Sequence, residues 1–159
     1  MRLQPLSFIP YLLPLVSSHA VHAPRQDPWG DGHAQAKASI DAMMTFYNQS
    51  AGQWQPEVAW WLSGNALQVL LDYTLASNST TYTPEVLRTI DAQKEPLAWW
   101  PQGGGYFRAD STDDTGWWAL AMVRMYDVSG GDATYLDYAR LDEAYMRSYW
   151  SDEIGRAHV

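Results

Sequence analysis

The chain contains no cysteine, which removes disulfide staples, thiolate zinc sites and cysteine nucleophiles from consideration. Basic residues are scarce, 10 against 18 acidic, for a net charge of −8. That balance repels phosphate, so nucleic acid and anionic membrane surfaces are excluded as partners, and a neutral ligand fits better. Histidine is also rare: of four, His19 and His22 lie near the N-terminus and His158 at the extreme C-terminus, leaving His33. A histidine zinc site or a Ser-His-Asp triad has almost nothing to build on. No Walker loop or dinucleotide fingerprint occurs, and "GGGY" at 103–106 lacks the Gly-Lys-Ser/Thr that would make it a phosphate cradle, so it reads as a flexible loop. No cofactor and no metal are expected. The longest N-terminal apolar stretch, residues 6–16, is interrupted by Pro10 and Pro14 and is too short to cross a bilayer, and no later segment qualifies.

What is present is aromatic. Nine Trp and ten Tyr within a 47% hydrophobic composition suit a thick aromatic core or surfaces that stack on flat ligands. The N-terminus runs Met1-Arg2, an apolar stretch, then Ser18-His19-Ala20, the order of a secretory signal with small residues at the cleavage site. Residues 1–20 are therefore expected to be a signal peptide and 21–33, with Pro24 and Pro28, a propeptide or flexible lead-in. The expected localisation is secreted, extracellular or in a cell wall. Asn48-Gln49-Ser50 and Asn78-Ser79-Thr80 are glycosylation acceptors compatible with export. Residues 153–159, "EIGRAHV", continue no helical pattern and look like a translated sequencing adapter, so they are expected to be a non-native tail on a chain that is naturally longer.

Apolar residues at spacings of three and four predict helices over 34–48, 57–76, 84–95, 114–128 and 133–150, with no clear strand pair. Their expected inner faces are Ile40, Met43, Met44 and Tyr47; Leu62, Ala66, Val69, Leu70 and Tyr73; and, in the last helix, Tyr138, Leu141, Tyr145 and Tyr149. Pro84 suits the first position of its helix. The 114–128 helix carries Trp117, Trp118, Leu120, Met122, Val123 and Met125 around its axis and is expected to be buried on nearly all sides, whereas the last helix is amphipathic. Ala59-Trp60-Trp61 and Gly116-Trp117-Trp118 each precede an Ala/Leu-rich helix, a polar turn and another helix, a helical-hairpin period. The predicted class is all-α, either a toroid of helical hairpins or an open solenoid.

Carboxylates beside aromatics are the remaining chemistry. Asp113-Asp114 stand directly before Trp117-Trp118. Glycoside hydrolysis needs one ionised carboxylate and one protonated one around a sugar. At a helix start, an acid accepting backbone N–H bonds stays ionised, while its neighbour, set against tryptophan and repelled by the first charge, is pushed toward protonation. The plainer reading is Asp113 as N-cap and Asp114 in the first turn, and by spacing alone it outweighs the chemical one. Helical neighbours diverge by about 100°, so one tryptophan of each helical pair, Trp60-Trp61 and Trp117-Trp118, is expected in the core. Trp99-Trp100, in the Gly-rich loop, are better ligand candidates. Arg108 and Asp110 bond sugar hydroxyls or pair with each other at the surface.

Three blocks, "IDAMMTFYNQSAGQW", "WWLSGNALQVLLDY" and "DDTGWWALAMVRMYDVSGGDATYL", together resemble glycoside hydrolase family 76, the secreted fungal and bacterial endo-α-1,6-mannanases, over about residues 38–150. The resemblance implies an (α/α)6 toroid, retention of anomeric configuration, α-mannan as substrate, Asp113 as nucleophile and Asp114 as general acid/base. Trp61, Trp99, Trp100, Arg108, Asp110 and Trp117 become the substrate-binding candidates. Residues 34–152 then correspond to the N-terminal part of a catalytic domain, an incomplete toroid. Five helices do not close a twelve-helix ring, so this polypeptide alone is expected to be inactive and poorly soluble. A transglycosidase joining mannoproteins to wall glucan, and a non-catalytic helical scaffold that binds glycans, stay open as alternatives.

Overall fold

The computed structural model describes residues 30–151 and 156–157; the expected signal peptide, most of the lead-in segment and most of the C-terminal tail lie outside them. Five helices carry the fold: α1 Gly30–Met44, α2 Trp60–Ser77, α3 Thr83–Gln93, α4 Thr112–Val128 and α5 Ala133–Arg147. The protein is all-α apart from two-residue ladders, β1 Tyr47–Asn48 with β2 Gln53–Trp54 and β3 Trp150–Ser151 with β4 Arg156–Ala157, both antiparallel.

Local chemistry sets most helix ends. Asn78 closes α2 in the left-handed conformation at φ 53°, a shape asparagine tolerates better than most residues. Pro84 sits within the first turn of α3, one residue later than expected because the helix begins at Thr83. The Asp132 carboxylate caps α5 by accepting from the Thr134 N–H at 3.0 Å. Two expected spans are corrected. The first helix begins at Gly30 and stops at Met44, because Tyr47 and Asn48 leave it to pair with Trp54 and Gln53. The Asn48 side chain holds that hairpin by accepting from the Ser50 and Ala51 N–H groups, each at 2.9 Å. The last helix ends at Arg147 rather than Trp150.

The core lies where α4 packs against α2 on one side and α5 on the other. Its centre is a stack of three rings: Trp60 on Trp118 at 5.0 Å between centroids, and Trp118 on Phe107 at 5.2 Å. Gly64 allows the approach, since a Cβ there would lie 3.2 Å from three atoms of the Trp118 ring. Leu67, Leu70, Leu71 and Met122 are fully buried around this stack. The expected inner faces need revision. On α2, Val69 is 48% exposed and Leu67 and Leu71 take its place in the core. On α5, Leu141 is 40% exposed, and the inward residues include Ala139 and Asp142.

Nor is α4 buried all round. Trp118, Ala121, Met122 and Met125 are inside, while Trp117, Leu120 and Val123 line up at helical spacing on an open face. An Arg124–Asp72 ion pair at 2.6 Å joins α4 to α2 near their far ends. No described helix is long and apolar enough to cross a membrane.

Candidate active site

The connection between α3 and α4 delivers the acid pair. It leaves α3 at Lys94, makes a 3-10 turn over Pro101–Gly103 and returns beneath the Lys94 carbonyl, which accepts from the Tyr106 N–H at 2.6 Å. Gly105, at φ 81°, is required there, because a Cβ would sit 2.7 Å from that carbonyl oxygen. Phe107 and Ala109 then bury themselves against α4 and α5, and Asp110 to Asp114 emerge at the N-terminus of α4. The loop's path is thus tied to α3 and α4 at Tyr106 and Phe107.

Ser111, with extended backbone, occupies the N-cap position expected for Asp113, and both acids fall within the first turn. Asp113 is exposed and accepts a hydrogen bond from the Ser111 hydroxyl. That bond, aided by the N–H groups of Asp113 and Asp114, holds its carboxyl below the usual carboxylate range. Asp114 is half-buried, and its carboxyl is pushed upward, first by burial and then by the negative charges of Asp113 and Asp110. Neighbouring acids of one chemical type thus lean in opposite directions, one toward the ion and the other toward the acid.

They also open onto different grooves. Asp114 lines a groove of about 690 Å³ that includes Trp60, Trp61, Glu95, Pro96 and Trp99. Its floor is held by Gln93, whose side-chain carbonyl accepts from the Trp60 indole N–H at 2.8 Å while its amide donates to the Ala51 carbonyl at 2.7 Å. Trp99 meets Trp60 edge-on at 6.1 Å and leaves about half of its own surface to solvent. Asp113 faces the other way, into a groove of about 720 Å³ with Glu143, Met146, Arg147 and Trp150. The step of about 100° between consecutive helical residues accounts for the divergence.

The remaining candidates divide accordingly. Trp61 and Trp99 join Asp114 in one groove, and Trp117 lies on the Asp113 side, beside Gly116, Leu120 and Glu143. Trp100 turns away from the groove and donates its indole N–H to the Tyr145 hydroxyl at 3.1 Å. Arg108 contacts protein rather than open space: it reaches the Gly103 and Leu141 carbonyls at 3.4 and 3.3 Å and lies over the rings of Tyr106 and Tyr145. No Arg108–Asp110 ion pair forms, and Asp110 is exposed. Asn48 and Asn78 are both exposed, in the hairpin and at the end of α2.

Sequence reasoning passed over Glu143, Trp150 and Asp142, and placed Tyr145 on an inner face without assigning it a role near the site. Asp142 was detectable as a lone acid three residues from Ala139 on a helix stripe; Glu143 and Trp150 become neighbours of Asp113 only through the packing of α5 on α4. Among the described residues, no group of three or more His, Cys, Asp or Glu is placed to hold a metal ion. The family model for glycosyl hydrolase family 76 matches residues 32–155. No curated protein and no solved structure matches the chain.

Proposed function

The chain belongs to glycosyl hydrolase family 76, a family of glycosidases acting on polysaccharide, and from that premise we propose that its reaction is retaining, endo-acting hydrolysis of α-1,6-mannosidic bonds in a secreted mannan-processing enzyme. The observation that carries this reading is the acid pair at the start of α4, with Asp113 held toward the ion and Asp114 toward the protonated form.

Retention requires two displacements. The Asp113 carboxylate attacks the anomeric carbon while the glycosidic C–O bond breaks, and the Asp114 proton passes to the leaving oxygen. Asp114, now ionised, takes a proton from water, whose oxygen attacks the same carbon and releases Asp113. Because the two side chains leave the helix about 100° apart, a sugar docked over the α4 N-terminus is approached from two directions. Trp61 and Trp99 offer apolar ring faces to the mannose units beside Asp114, where stacking needs no charge and suits a neutral polymer. Export and glycosylation at Asn48 and Asn78 belong to the same reading.

The pH dependence follows from the two directions. Turnover requires Asp113 ionised and Asp114 protonated, so the rate falls on the acid side as Asp113, its pKa lowered, takes up its proton, and falls on the alkaline side as Asp114, its pKa raised, loses its own. In the natural protein, Asp113→Asn and Asp114→Asn are each expected to lower kcat on α-1,6-mannan by about 10³-fold or more. Turnover at the wild-type rate in both variants, or products released with inverted configuration by NMR, would overturn the assignment. The 159-residue chain by itself is expected to bind short mannosides without cleaving them, because the open Trp117–Leu120–Val123 face leaves the Asp113 side without a wall. Clear release of reducing ends by this chain would contradict that expectation.

A further inference from the structure

One hydroxyl on α5 holds two separate segments that lead to the acid pair. The Tyr145 phenol accepts from the Trp100 indole N–H at 3.1 Å and from the Tyr149 hydroxyl at 3.3 Å, and it donates to the Ala109 carbonyl at 2.8 Å. A phenol has one proton and room for two incoming donors, so its hydrogen-bonding capacity is fully used. The Ala109 peptide is buried and fixed from its other side as well, its N–H donating to the Thr115 hydroxyl at 3.0 Å. That hydroxyl reaches on to the carbonyl of the N-cap residue Ser111 at 3.2 Å. Arg108 lies over the Tyr145 ring at 5.5 Å and keeps the phenol oriented.

We propose that Tyr145 is a positioning residue for the glycosidase reaction: its hydroxyl fixes the Trp99–Trp100 wall and the Ala109–Asp114 segment in a single register, so that a sugar stacked on Trp99 meets the acid pair. The inference rests on the reading that Asp113 and Asp114 carry the reaction and that Trp99 binds substrate. Arg108 adds a long bond across the same loop, to the Gly103 carbonyl at 3.4 Å, but the Trp100 indole and the Ala109 carbonyl themselves meet through the phenol as their shared partner. Tyr145→Phe keeps the ring and its packing but removes the hub, leaving the Trp100 indole N–H and the buried Ala109 carbonyl without their partner. A relative shift on the order of 1 Å between substrate and reacting groups is enough to cost about 100-fold in rate.

The experiment has two arms. In the 159-residue chain, indole N–H resonances are assigned with Trp99→Phe and Trp100→Phe and compared in wild type, Tyr145→Phe and the remote control Tyr126→Phe. Tyr145→Phe is expected to shift both the Trp100 and Trp99 signals and to speed exchange of the Trp100 indole proton, with Tyr126→Phe leaving both in place. In the natural protein, Tyr145→Phe is expected to lower kcat on α-1,6-mannan at least about tenfold with KM changed less than about threefold and the folded fraction unchanged. An unmoved Trp99 signal, or wild-type kcat in Tyr145→Phe, overturns the positioning role. If the natural protein leaves mannan intact while the indole signals move as expected, the proposed reaction fails and the mechanical coupling through Tyr145 stands.

Discussion

Asp142 makes this protein's stability run against the usual pH trend. Its side chain is fully buried on α5, and neither carboxyl oxygen has a hydrogen-bond partner among the described residues. Burial pushes its pKa up to about 8, and the opposing attraction of the Arg108 guanidinium is too weak to bring it back. In the unfolded chain the same group titrates near 3.8. Between these values the native state holds a proton that the unfolded state has released, so stability is fully present below the lower value and is lost as pH rises through the upper one. The slope is about 1.4 kcal/mol per pH unit, which amounts to a loss on the order of 5 kcal/mol across the whole interval, comparable with the entire stability of a small domain. The window from pH 5 to 8 isolates the effect. Asp41, Asp113 and Asp132 have lowered pKa values and contribute stability that is lost only as pH falls below about 4. The raised tyrosines and lysines titrate above 10. Asp114 acts in the same sense as Asp142, but it is more open to solvent and contributes less. Urea unfolding followed by tryptophan fluorescence at pH 5, 6, 7 and 8 is expected to show the wild type losing about 3 to 4 kcal/mol and Asp142→Asn remaining nearly flat. Wild-type stability that is level or rises with pH, or an Asn variant with the wild-type slope, would refute the argument.

Three further outcomes test the packing and the open face of α4. Trp118→Ala removes the middle ring of the three-ring stack and is expected to cost about 3 to 5 kcal/mol, while Gly64→Ala, which presses a methyl group onto that ring, costs about 1 to 3 kcal/mol; both are read from urea midpoints. Leu120→Gln combined with Val123→Gln is expected to raise the soluble concentration measured by light scattering and to change stability by no more than about 1 kcal/mol, because both side chains are half exposed on the open face of α4.

Element type was legible in the sequence wherever a period of three to four residues ran between punctuating residues. Both ends of α3 follow this rule, with Pro84 in the first turn and Pro96 just beyond the end, and so does the start of α5 at Asp132. The β1–β2 hairpin was not legible because tertiary partners hold it: the Trp54 N–H donates to the Ser63 hydroxyl at 3.0 Å, and the Tyr47 hydroxyl reaches the Glu85 carbonyl and Thr89 on α3. The expected face of the last helix holds at Tyr138, Tyr145 and Tyr149 and fails at Leu141, for a related reason. Tyr138 packs on Phe107 and Tyr145 bonds to Trp100 and Ala109, and the rotation these contacts impose turns Leu141 outward and draws Asp142 inside. Hydrophobicity alone prefers the opposite rotation. For α4, composition correctly described an apolar helix, but composition carries no information on which neighbours are present to cover each face.

The acid pair shows where local reasoning succeeds and where it stops. The positive end of the α4 dipole reaches both first-turn carboxylates and stabilises their ionised forms alike, so it offers no basis for giving them different roles. The difference arises from the angular step between consecutive residues. It leaves Asp113 in solvent beside the Ser111 hydroxyl and turns Asp114 toward the tryptophan groove, where desolvation and two neighbouring negative charges act together. Burial and hydrogen bonding were anticipated from the residue types; the identity of the donor was not, because Ser111 rather than Asp113 takes the cap position. Ser111 takes the N-cap position by its backbone while its hydroxyl donates to Asp113, so the Asp113 carboxylate is held by that hydroxyl together with first-turn N–H groups. That carboxylate is exposed at the rim of a groove, where the nucleophile proposed above has to stand.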